Sequence, residues 1–408
     1  MNDPFSLQPL LASLPKNLPP DNDDAWEPWR AQWAIRSDTL YLNHGSFGPP
    51  PAPVRIAQRR WKEKLDEQPM DFFVRHYEPA WFAARESLAK FVDTAADNLI
   101  FVENATDGMN VIADSFSLRP DDEVLLTDHE YGAVMRIWQR VCQQAGAAAP
   151  VIAELPLPFE SADAVVDAIF AKVSSRTRLI VVSHVTSPTA VILPVAEICR
   201  KAKELGIPVC IDGAHAPVQV PLDIAALGCD FYTATCHKWL CAPFGSAFLF
   251  VAPNWQSKIR APSLSWGRLP PSPIDHWYDE FIWSGTRDPS PYFSVPTAIQ
   301  FIETLGLEAF RARTHRLASY ARNSLVELFR TQPIYPDSAE WYGSMTLIPL
   351  PPSTDCVATQ KQLWQQFGIE VPLPAWNGRP AIRVSCHLYN RCEDIDRLVA
   401  ALRSLLSL

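Results

Sequence analysis

The sequence predicts an α/β fold, in which helices cover both faces of a mostly parallel sheet, followed by a smaller α+β domain. Two observations carry this prediction. Between about Ser87 and Phe250, short apolar runs rich in β-branched residues alternate with amphipathic helical patterns, as in parallel sheets buried on both faces. After about Pro289 the alternation stops, and long amphipathic helices surround two strand-like runs.

The alternating region defines the elements of the large domain. In chain order they are the helix ESLAKFV, the strand NLIFVEN, the helix ATDGMNVIADSF, the strand DEVLLTD, the helix GAVMRIWQRVCQQAG, the strand TRLIVVSHVTS, the helix PVAEICRKAKELG, and the strands IPVCIDGAHA, FYTATCHK and GSAFLFVA. Ligands of such sheets bind beyond the carboxyl ends of the strands. Asp128, Ser187, Asp212 and Lys238 lie at or just past those ends.

The remaining segments complete the predicted domain organisation. The helices are PYFSVPTAIQFIETLG, EAFRARTHRLASYARNSLVELFRT and EDIDRLVAALRSLL, and the strands are SMTLIPLP and AIRVSCHLY. We expect a Pro-rich N-terminal arm over 1–40, a large α/β domain over 41–288, and a small α+β domain over 289–408 that the N-terminal segment joins.

Composition excludes several classes of protein. The chain of 408 residues is long enough for two domains, and its hydrophobic fraction of 48% is typical of globular proteins. A net charge of -9 argues against a nucleic-acid or anionic-membrane surface. The nine cysteines form no C-x-x-C pair, which predicts free thiols in the cytoplasm and no metal site. No apolar run has membrane length, and no secretory signal opens the chain.

Asp212 and Lys238 predict the chemistry, because each follows an apolar strand run of the same sheet. Chemistry with pyridoxal 5'-phosphate (PLP) needs a lysine that holds the aldehyde as a Schiff base and an acid beside the ring nitrogen. Burial and a nearby cation would lower the pKa of such a lysine and make it a nucleophile and base. Thr235 and His237, close to Lys238, are candidate phosphate donors. The simpler interpretation is a surface lysine and a helix-capping aspartate.

Other strand ends supply further candidate ligands. Ala105 and Thr106 open a helix after Asn104, and a helix N-terminus binds phosphate, although Asn and Thr are also ordinary caps. His129 or Tyr131 is a candidate for stacking on the cofactor ring. The hydroxyl of Ser187 and the imidazole of His215 are candidate partners of the cofactor, and the alternative for each is a structural role. Arg383, on a strand of the small domain, offers a planar match to a substrate carboxylate, or else an ordinary salt bridge.

These motifs together carry a resemblance. The ordered set NATDG, TDHEYGA, SHVTSPT, DGAHA, TCHKW, WSGT and RVSCHLYN resembles the class V aminotransferase family of fold-type I PLP-dependent enzymes. YLNHGSFGPPP, FFVRHYEPAW and TDHEYGA are most similar to its isopenicillin N epimerase-like branch. The resemblance extends from about Tyr41 to the C-terminus. It implies a PLP-dependent transferase fold with a mostly parallel seven-stranded sheet, and a homodimer with active sites at the interface.

The resemblance also implies roles for particular residues. Lys238 would hold PLP and Asp212 would pair with the pyridinium nitrogen. The phosphate would be bound by Ala105, Thr106, Thr235 and His237, and by Gly285 and Thr286 of the neighbouring subunit. Arg383 would bind the substrate carboxylate, and Asn43, His44 and Gly45 would approach the substrate.

The chain departs from the relatives that desulfurate cysteine in two places. Ser187 matches the position where those relatives carry an Asn near the cofactor oxygen. In TDHEYGA two registers are open, because His129 follows an acid as in those relatives, whereas Tyr131 keeps the spacing to Trp138. We favour Tyr131 as the stacking residue.

The reaction itself stays open among several fates of a Cα carbanion. An epimerase would use Lys238 on one face and Tyr131 on the other, and transamination and C–S bond cleavage begin with the same proton removal. A desulfurase that forms a persulfide is disfavoured, because the stretch GIEVPLPAWNGRPAIR before Arg383 contains no cysteine. A non-catalytic binding or regulatory protein on the same fold is the alternative from another class, and the presence of both Lys238 and Asp212 argues against it.

Overall fold

The computed structural model describes residues 11–408, and strands recur through most of that range. The first ten residues of the arm predicted for 1–40 lie outside the described residues. The strands are β1 (Leu40–Tyr41), β2 (Leu99–Val102), β3 (Glu123–Thr127), β4 (Val151–Ala153), β5 (Thr177–Ser183), β6 (Val209–Asp212), β7 (Phe231–Thr235), β8 (Ala247–Val251), β9 (Met345–Pro349), β10 (Ile369–Glu370), β11 (Ala375–Trp376) and β12 (Arg379–Ser385).

Seven of these strands form the predicted mostly parallel sheet, in the order β2-β8-β7-β6-β5-β3-β4. All neighbouring pairs are parallel except those of β8, which runs antiparallel to both β2 and β7. The connection from β7 to β8 spans only 236–246. A parallel return needs a crossover of a dozen or more residues, usually through a helix, so this short link reverses the strand direction.

Helices alternate with the strands and cover the sheet. The helices of the described residues are Glu27–Arg30, Ala52–Glu67, Pro69–Asp71, Tyr77–Phe91, Ala105–Ser115, Gly132–Ala145, Ala162–Phe170, Val195–Glu204, Ile224–Leu227, Pro253–Gln256, Asp279–Ile282, Ser290–Phe293, Val295–Leu305, Leu307–Phe329, Cys356–Phe367 and Cys392–Leu406, with 3₁₀ turns at Asp23–Trp26 and Ala96–Asn98 and a π turn at Phe72–His76. The sequence prediction omitted β4 and the helix Ala162–Phe170. β4 has only three residues and is partly exposed at the sheet edge, so its apolar run is too short to indicate a strand.

Local sequence explains where the helices around the site begin and end. The Asn104 side chain accepts a hydrogen bond from the Asp107 amide over 2.9 Å and caps the helix Ala105–Ser115. The helix Gly132–Ala145 ends at Gly146, whose φ of 65° is left-handed. The strands between the helices are almost fully buried, with β2, β3, β6, β7 and β8 buried throughout. Helices on both faces therefore leave only the strand ends open to ligands.

A smaller antiparallel sheet, in the order β11-β12-β9, lies in the C-terminal part of the chain. Helices including Leu307–Phe329 and Cys392–Leu406 pack with it around a second hydrophobic cluster, separate from that of the large sheet. Leu40 and Leu42 belong to this second cluster. β1 pairs with β10, and Asn43 pairs with Ser385 at the end of β12. The N-terminal segment is thus joined to the C-terminal unit.

No helix within residues 11–408 is both long enough and apolar enough to span a membrane.

Candidate active site

A cavity of about 1090 Å³ opens at the carboxyl ends of the parallel strands. Its position follows from the strand order, because β7, β6, β5 and β3 are consecutive neighbours and their carboxyl ends lie at one edge of the sheet. The structure brings eleven of the sequence-predicted site residues into its lining: Gly45, Ala105, Thr106, Tyr131, Ser187, Asp212, His215, Thr235, His237, Lys238 and Arg383.

The Lys238 amine lies 3.0 Å from His215 Nε2. Trp239 Nε1 donates to His215 Nδ1 over 3.4 Å, and burial holds the pKa of His215 well below its usual value. A neutral imidazole that accepts at Nδ1 carries its proton on Nε2, so the Lys238 amine is the acceptor. Burial lowers the pKa of Lys238 to about 7, and Arg383 adds to this effect while Asp212 opposes it. A nucleophilic lysine needs this neutral form.

Asp212 ends β6 and is 5% exposed. Its Oδ1 accepts a hydrogen bond from the Ala214 amide over 3.0 Å. Burial raises the pKa of Asp212, against the opposing effects of that hydrogen bond and of the Lys238 charge. A buried carboxylate is stabilised by a cationic partner. Asp212 therefore fits a protonated ring nitrogen of PLP.

The residues predicted to bind the cofactor phosphate also form a site suited to an anion. Ala105 and Thr106 form the first turn of an eleven-residue helix, where free amides and the helix dipole attract negative charge. His237 Nδ1 is buried and has no hydrogen-bond partner among residues 11–408. Such an orphaned polar atom is costly unless a ligand pairs with it. Thr235 Oγ1 donates to the Ala214 carbonyl over 2.8 Å, so this hydroxyl would have to rotate to donate to a phosphate.

Arg383 reaches the cavity from β12 of the C-terminal unit. Its Nη1 donates to the Ser187 carbonyl over 2.5 Å, and its Nη2 donates to Ser46 Oγ over 2.9 Å. Its Nε is buried and without a partner in the described part of the chain. Burial lowers the pKa of Arg383 to about 10. A buried guanidinium that has an unpaired donor, and no carboxylate partner among residues 11–408, matches a substrate carboxylate.

Five predicted site residues do not line the cavity. His129 is fully buried behind it, where Nδ1 hydrogen-bonds Thr189 Oγ1 over 2.7 Å and the ring packs on Trp376. Tyr131, in contrast, is 49% exposed and lines the cavity. Of the two registers left open by the sequence, the structure thus places Tyr131 at the site.

The other four lie in two segments. Asn43 donates to Glu370 Oε1 over 3.2 Å. His44 lies outside the cavity lining and contacts the backbone carbonyl of Lys238. Gly285, with a φ of 124°, and the exposed Thr286 lie on a surface segment outside the cavity of this chain.

Two residues were not predicted from the sequence: Ser46, which lines the cavity, and Glu130, which hydrogen-bonds the cavity residue Ser183. Glu130 is 6% exposed and accepts hydrogen bonds from Thr127 Oγ1 over 2.7 Å and from Ser183 Oγ over 2.6 Å. Burial raises the pKa of Glu130 to about 7, and the charge of Asp212 contributes. The sequence offered one signal for Glu130, since its carboxyl group lies between His129 and Tyr131, the two candidates for stacking on the cofactor ring.

Comparison with known proteins identifies the family of the chain. The family model described as aminotransferase class-V matches residues 75–398. The chain is 36% identical over 396 residues to a protein named isopenicillin N epimerase from Amycolatopsis lactamdurans, covering 93% of this chain and 98% of that one. It is 31% identical over 412 residues to a putative L-cysteine desulfhydrase of Oryza sativa subsp. japonica, covering 90% and 83% of the two chains.

A solved structure shows the same fold. It is a mutant of the protein C-DES with glycine covalently linked to the PLP cofactor, with a TM-score of 0.79 and 21% identity, covering 91% of this chain and 98% of that one. The match to the family model, the relatives and the cavity that fits PLP agree with one another. The chain therefore belongs to the class-V aminotransferase family and is a PLP-dependent enzyme.

Proposed function

We propose that the protein epimerises an amino acid with a free α-carboxylate, moving the Cα proton from one face of the molecule to the other. The observation that supports this most is that Lys238, Tyr131 and Arg383 line one cavity. The relative named isopenicillin N epimerase supports the same reaction class. The β-lactam substrate in that name is not part of the proposal.

Substrate binding would begin at Arg383. The carboxylate would pair with the guanidinium at Nε and displace the contacts to Ser187 or Ser46, since charge-assisted hydrogen bonds are stronger than neutral ones. Gly45 lines the cavity beside these residues, where an added Cβ would lie 2.5 Å from Met345 Sδ. The close packing at Gly45 brings the N-terminal segment against the carboxylate site.

The cofactor would be held by Lys238, by Asp212 at the ring nitrogen, and by Ala105, Thr106, Thr235 and His237 at the phosphate. When bound, PLP withdraws electrons from the Cα of an attached amino acid and weakens the bonds of that atom. His215 would orient the Lys238 amine and hydrogen-bond the cofactor oxygen.

Lys238 and Tyr131 would then handle the proton. Burial lowers the pKa of Lys238 to about 7, so the amine can be neutral near pH 7 and take the Cα proton. Tyr131 would donate its phenolic proton to the opposite face, and both groups would recover their original protonation by exchange with solvent. The partial exposure of Tyr131 supports this exchange.

Incubation of the holoenzyme in deuterium oxide with single enantiomers of an amino-acid panel tests the proposal. We expect deuterium at Cα and formation of the opposite enantiomer. Tyr131→Phe should retain exchange without inversion, because its ring keeps the packing but has no proton to donate. Unchanged inversion in Tyr131→Phe would refute the role of Tyr131, and release of a keto acid by the wild type would indicate transamination or elimination instead.

A C–S lyase is the second candidate, because the desulfhydrase relative covers 90% of this chain. The cavity lining, which consists of described residues, contains no cysteine. Cys386 is fully buried and Cys392 begins a helix elsewhere. A lyase that releases its product needs no such thiol, whereas a persulfide-forming desulfurase does. Sulfide and keto-acid release from L-cysteine, without Cα inversion of any panel member, would favour the lyase.

We further propose a homodimer in which Gly285 and Thr286 contribute to the phosphate site of the neighbouring subunit. The support is their placement on a surface segment, where a Cβ at Gly285 would meet no atom within 4 Å. A solution mass near twice 45.7 kDa, and weaker PLP binding in Thr286→Val, are the expected results. A PLP-saturated monomer would contradict both.

We also propose the cytoplasm as the compartment, because all nine cysteines are unpaired.

A further inference from the structure

Three buried side chains, His44, Cys241 and His387, meet beneath the turn that carries Lys238. His44 and His387 are fully buried, and Cys241 is 2% exposed. Cys241 Sγ lies 3.7 Å from His44 Nε2 and 3.5 Å from His387 Nε2. We call these three residues the His–Cys–His cluster. Their chemistry matches a transition-metal site, but their geometry does not.

The two imidazole rings of the cluster are stacked, with centroids 3.8 Å apart and planes inclined by only 12°. The lone pair of an imidazole nitrogen lies in the ring plane, so two nearly parallel rings cannot both aim at one ion. A tetrahedral zinc site requires its ligand atoms to converge. In addition, His44 Nε2 is 3.0 Å from the Lys238 carbonyl oxygen, which can only accept a hydrogen bond.

The contacts of His44 determine where its proton lies. Because Nε2 donates to the Lys238 carbonyl, Nδ1 is the acceptor, and the Tyr389 hydroxyl lies 2.9 Å from it. Burial lowers the pKa of His44 to about 3, so the ring stays neutral. The hydrogen bonds therefore run in one direction. They lead from the hydroxyl of Tyr389, which follows β12, through His44 to the Lys238 carbonyl.

The turn itself is tightly packed against the N-terminal segment. The Lys238 carbonyl also accepts from the Cys241 amide over 3.0 Å, and Cys241 has a left-handed φ of 58°. At Gly48 an added Cβ would lie 2.6 Å from the Lys238 carbonyl oxygen and 2.6 Å from His44 Nε2. The segment is thus pressed onto the backbone of Lys238, and only glycine permits that approach.

We propose that His44 is a positioning residue for Lys238, which orients the backbone of the turn so that the amine projects into the cavity. His44 does not line the cavity and does not touch the reacting atoms. Its effect passes through the carbonyl group of the residue that attaches the cofactor. The proposal concerns the attachment of PLP alone and holds whichever reaction the enzyme catalyses.

The test compares two kinds of binding to the full-length apoenzyme. PLP attaches covalently to Lys238, and borohydride reduction measures the rate of attachment. Pyridoxamine 5'-phosphate cannot attach, so its affinity reports only the phosphate and ring contacts. For His44→Phe, which keeps a stacked ring but has no donor, we expect attachment to slow on the order of tenfold or more. Affinity for pyridoxamine 5'-phosphate should stay within about twofold of the wild-type value, since those contacts are intact.

Two further variants separate positioning from packing. His387→Phe is the matched control. His387 belongs to the His–Cys–His cluster and stacks on the ring of His44, but it does not contact Lys238. It should attach PLP at a rate close to that of the wild type. His44→Gln, whose side-chain amide can donate to the carbonyl, should recover part of the lost rate.

Four outcomes would overturn the proposal. Wild-type attachment in His44→Phe would show that the hydrogen bond is dispensable. Equal slowing in His387→Phe, or a matching loss of pyridoxamine 5'-phosphate affinity in His44→Phe, would assign the effect to general damage of the fold. One zinc per chain that His387→Phe removes would show that the cluster binds metal, because His44 Nε2 cannot donate and coordinate at the same time.

Discussion

Glu130 is expected to reduce the stability of the protein above neutral pH, and Glu130→Gln should remove that effect. The carboxyl group is buried near the charge of Asp212, and burial raises its pKa from 4.5 to about 7. A group whose pKa is raised by folding stabilises the folded state below its unfolded pKa. That stability is lost as the pH rises through the folded pKa. The relevant window therefore runs from about pH 4.5 to about pH 7.

The magnitude follows from the shift in pKa. The pKa of Glu130 rises from 4.5 in the unfolded chain to about 7 in the folded protein. At 1.36 kcal/mol for each pKa unit, this shift corresponds to a loss of about 3 kcal/mol in the free energy of unfolding. The hydroxyl groups of Thr127 and Ser183 can accept from a neutral amide as well as donate to a carboxylate, so Gln keeps partners at this position. The change in stability between the two proteins should therefore depend on pH and not on a lost contact.

Urea unfolding of the apoenzyme at several pH values measures this difference. At pH 4.5 the two proteins should differ little, and by pH 8 Glu130→Gln should be more stable by up to about 3 kcal/mol. Using the apoenzyme keeps cofactor binding out of the comparison. A constant offset between the two proteins across the pH range, or a variant that becomes less stable as the pH rises, would refute the reasoning.

Two further predictions concern the carboxylate site and the sheet. Arg383→Lys should raise the KM for the amino-acid substrate roughly 30-fold, with a smaller change in kcat, because a lysine replaces the planar pair of donors and loses about 2 kcal/mol. An unchanged KM would place the carboxylate elsewhere. Gly108→Ala should destabilise the protein by about 1–3 kcal/mol, because the new Cβ would lie 2.2 Å from Thr233 Oγ1. Gly132→Ala is the matched helical control, since its Cβ would meet nothing within 4 Å, and urea unfolding should find it at least as stable as the wild type.

The order and type of the elements around the site could be predicted from local sequence, because apolar periodicity and strand ends are local properties. The strand predictions that contain β2, β3, β5, β6, β7 and β8 are confirmed by the structure. Asp212 and Lys238 were assigned to one sheet edge because parallel strands share an edge for their carboxyl ends. The direction of β8 was not predicted, although the link from β7 to β8, residues 236–246, is too short for a parallel crossover.

The separation of His129 from Tyr131 required the tertiary structure. The two residues are two positions apart after the same strand, and either fits the sequence spacing. Packing against Trp376 and the hydrogen bond to Thr189 hold His129 inside the protein, and these partners are distant in sequence. Local patterns carry no information about which side of a turn such partners occupy.

The sequence by itself determined the fold class, the PLP chemistry and the residues at the strand ends, because each depends on short-range pattern or on residue chemistry. Only the tertiary structure decided that Arg383 reaches Lys238's cavity, that Glu130 is buried beside Asp212, and that His44 lies behind the lysine. The physical reason is that burial and hydrogen-bond partners arise between segments far apart in the chain. These long-range contacts determine the pKa values and the orientation of the site groups, whereas the sequence identifies only which residues carry those groups.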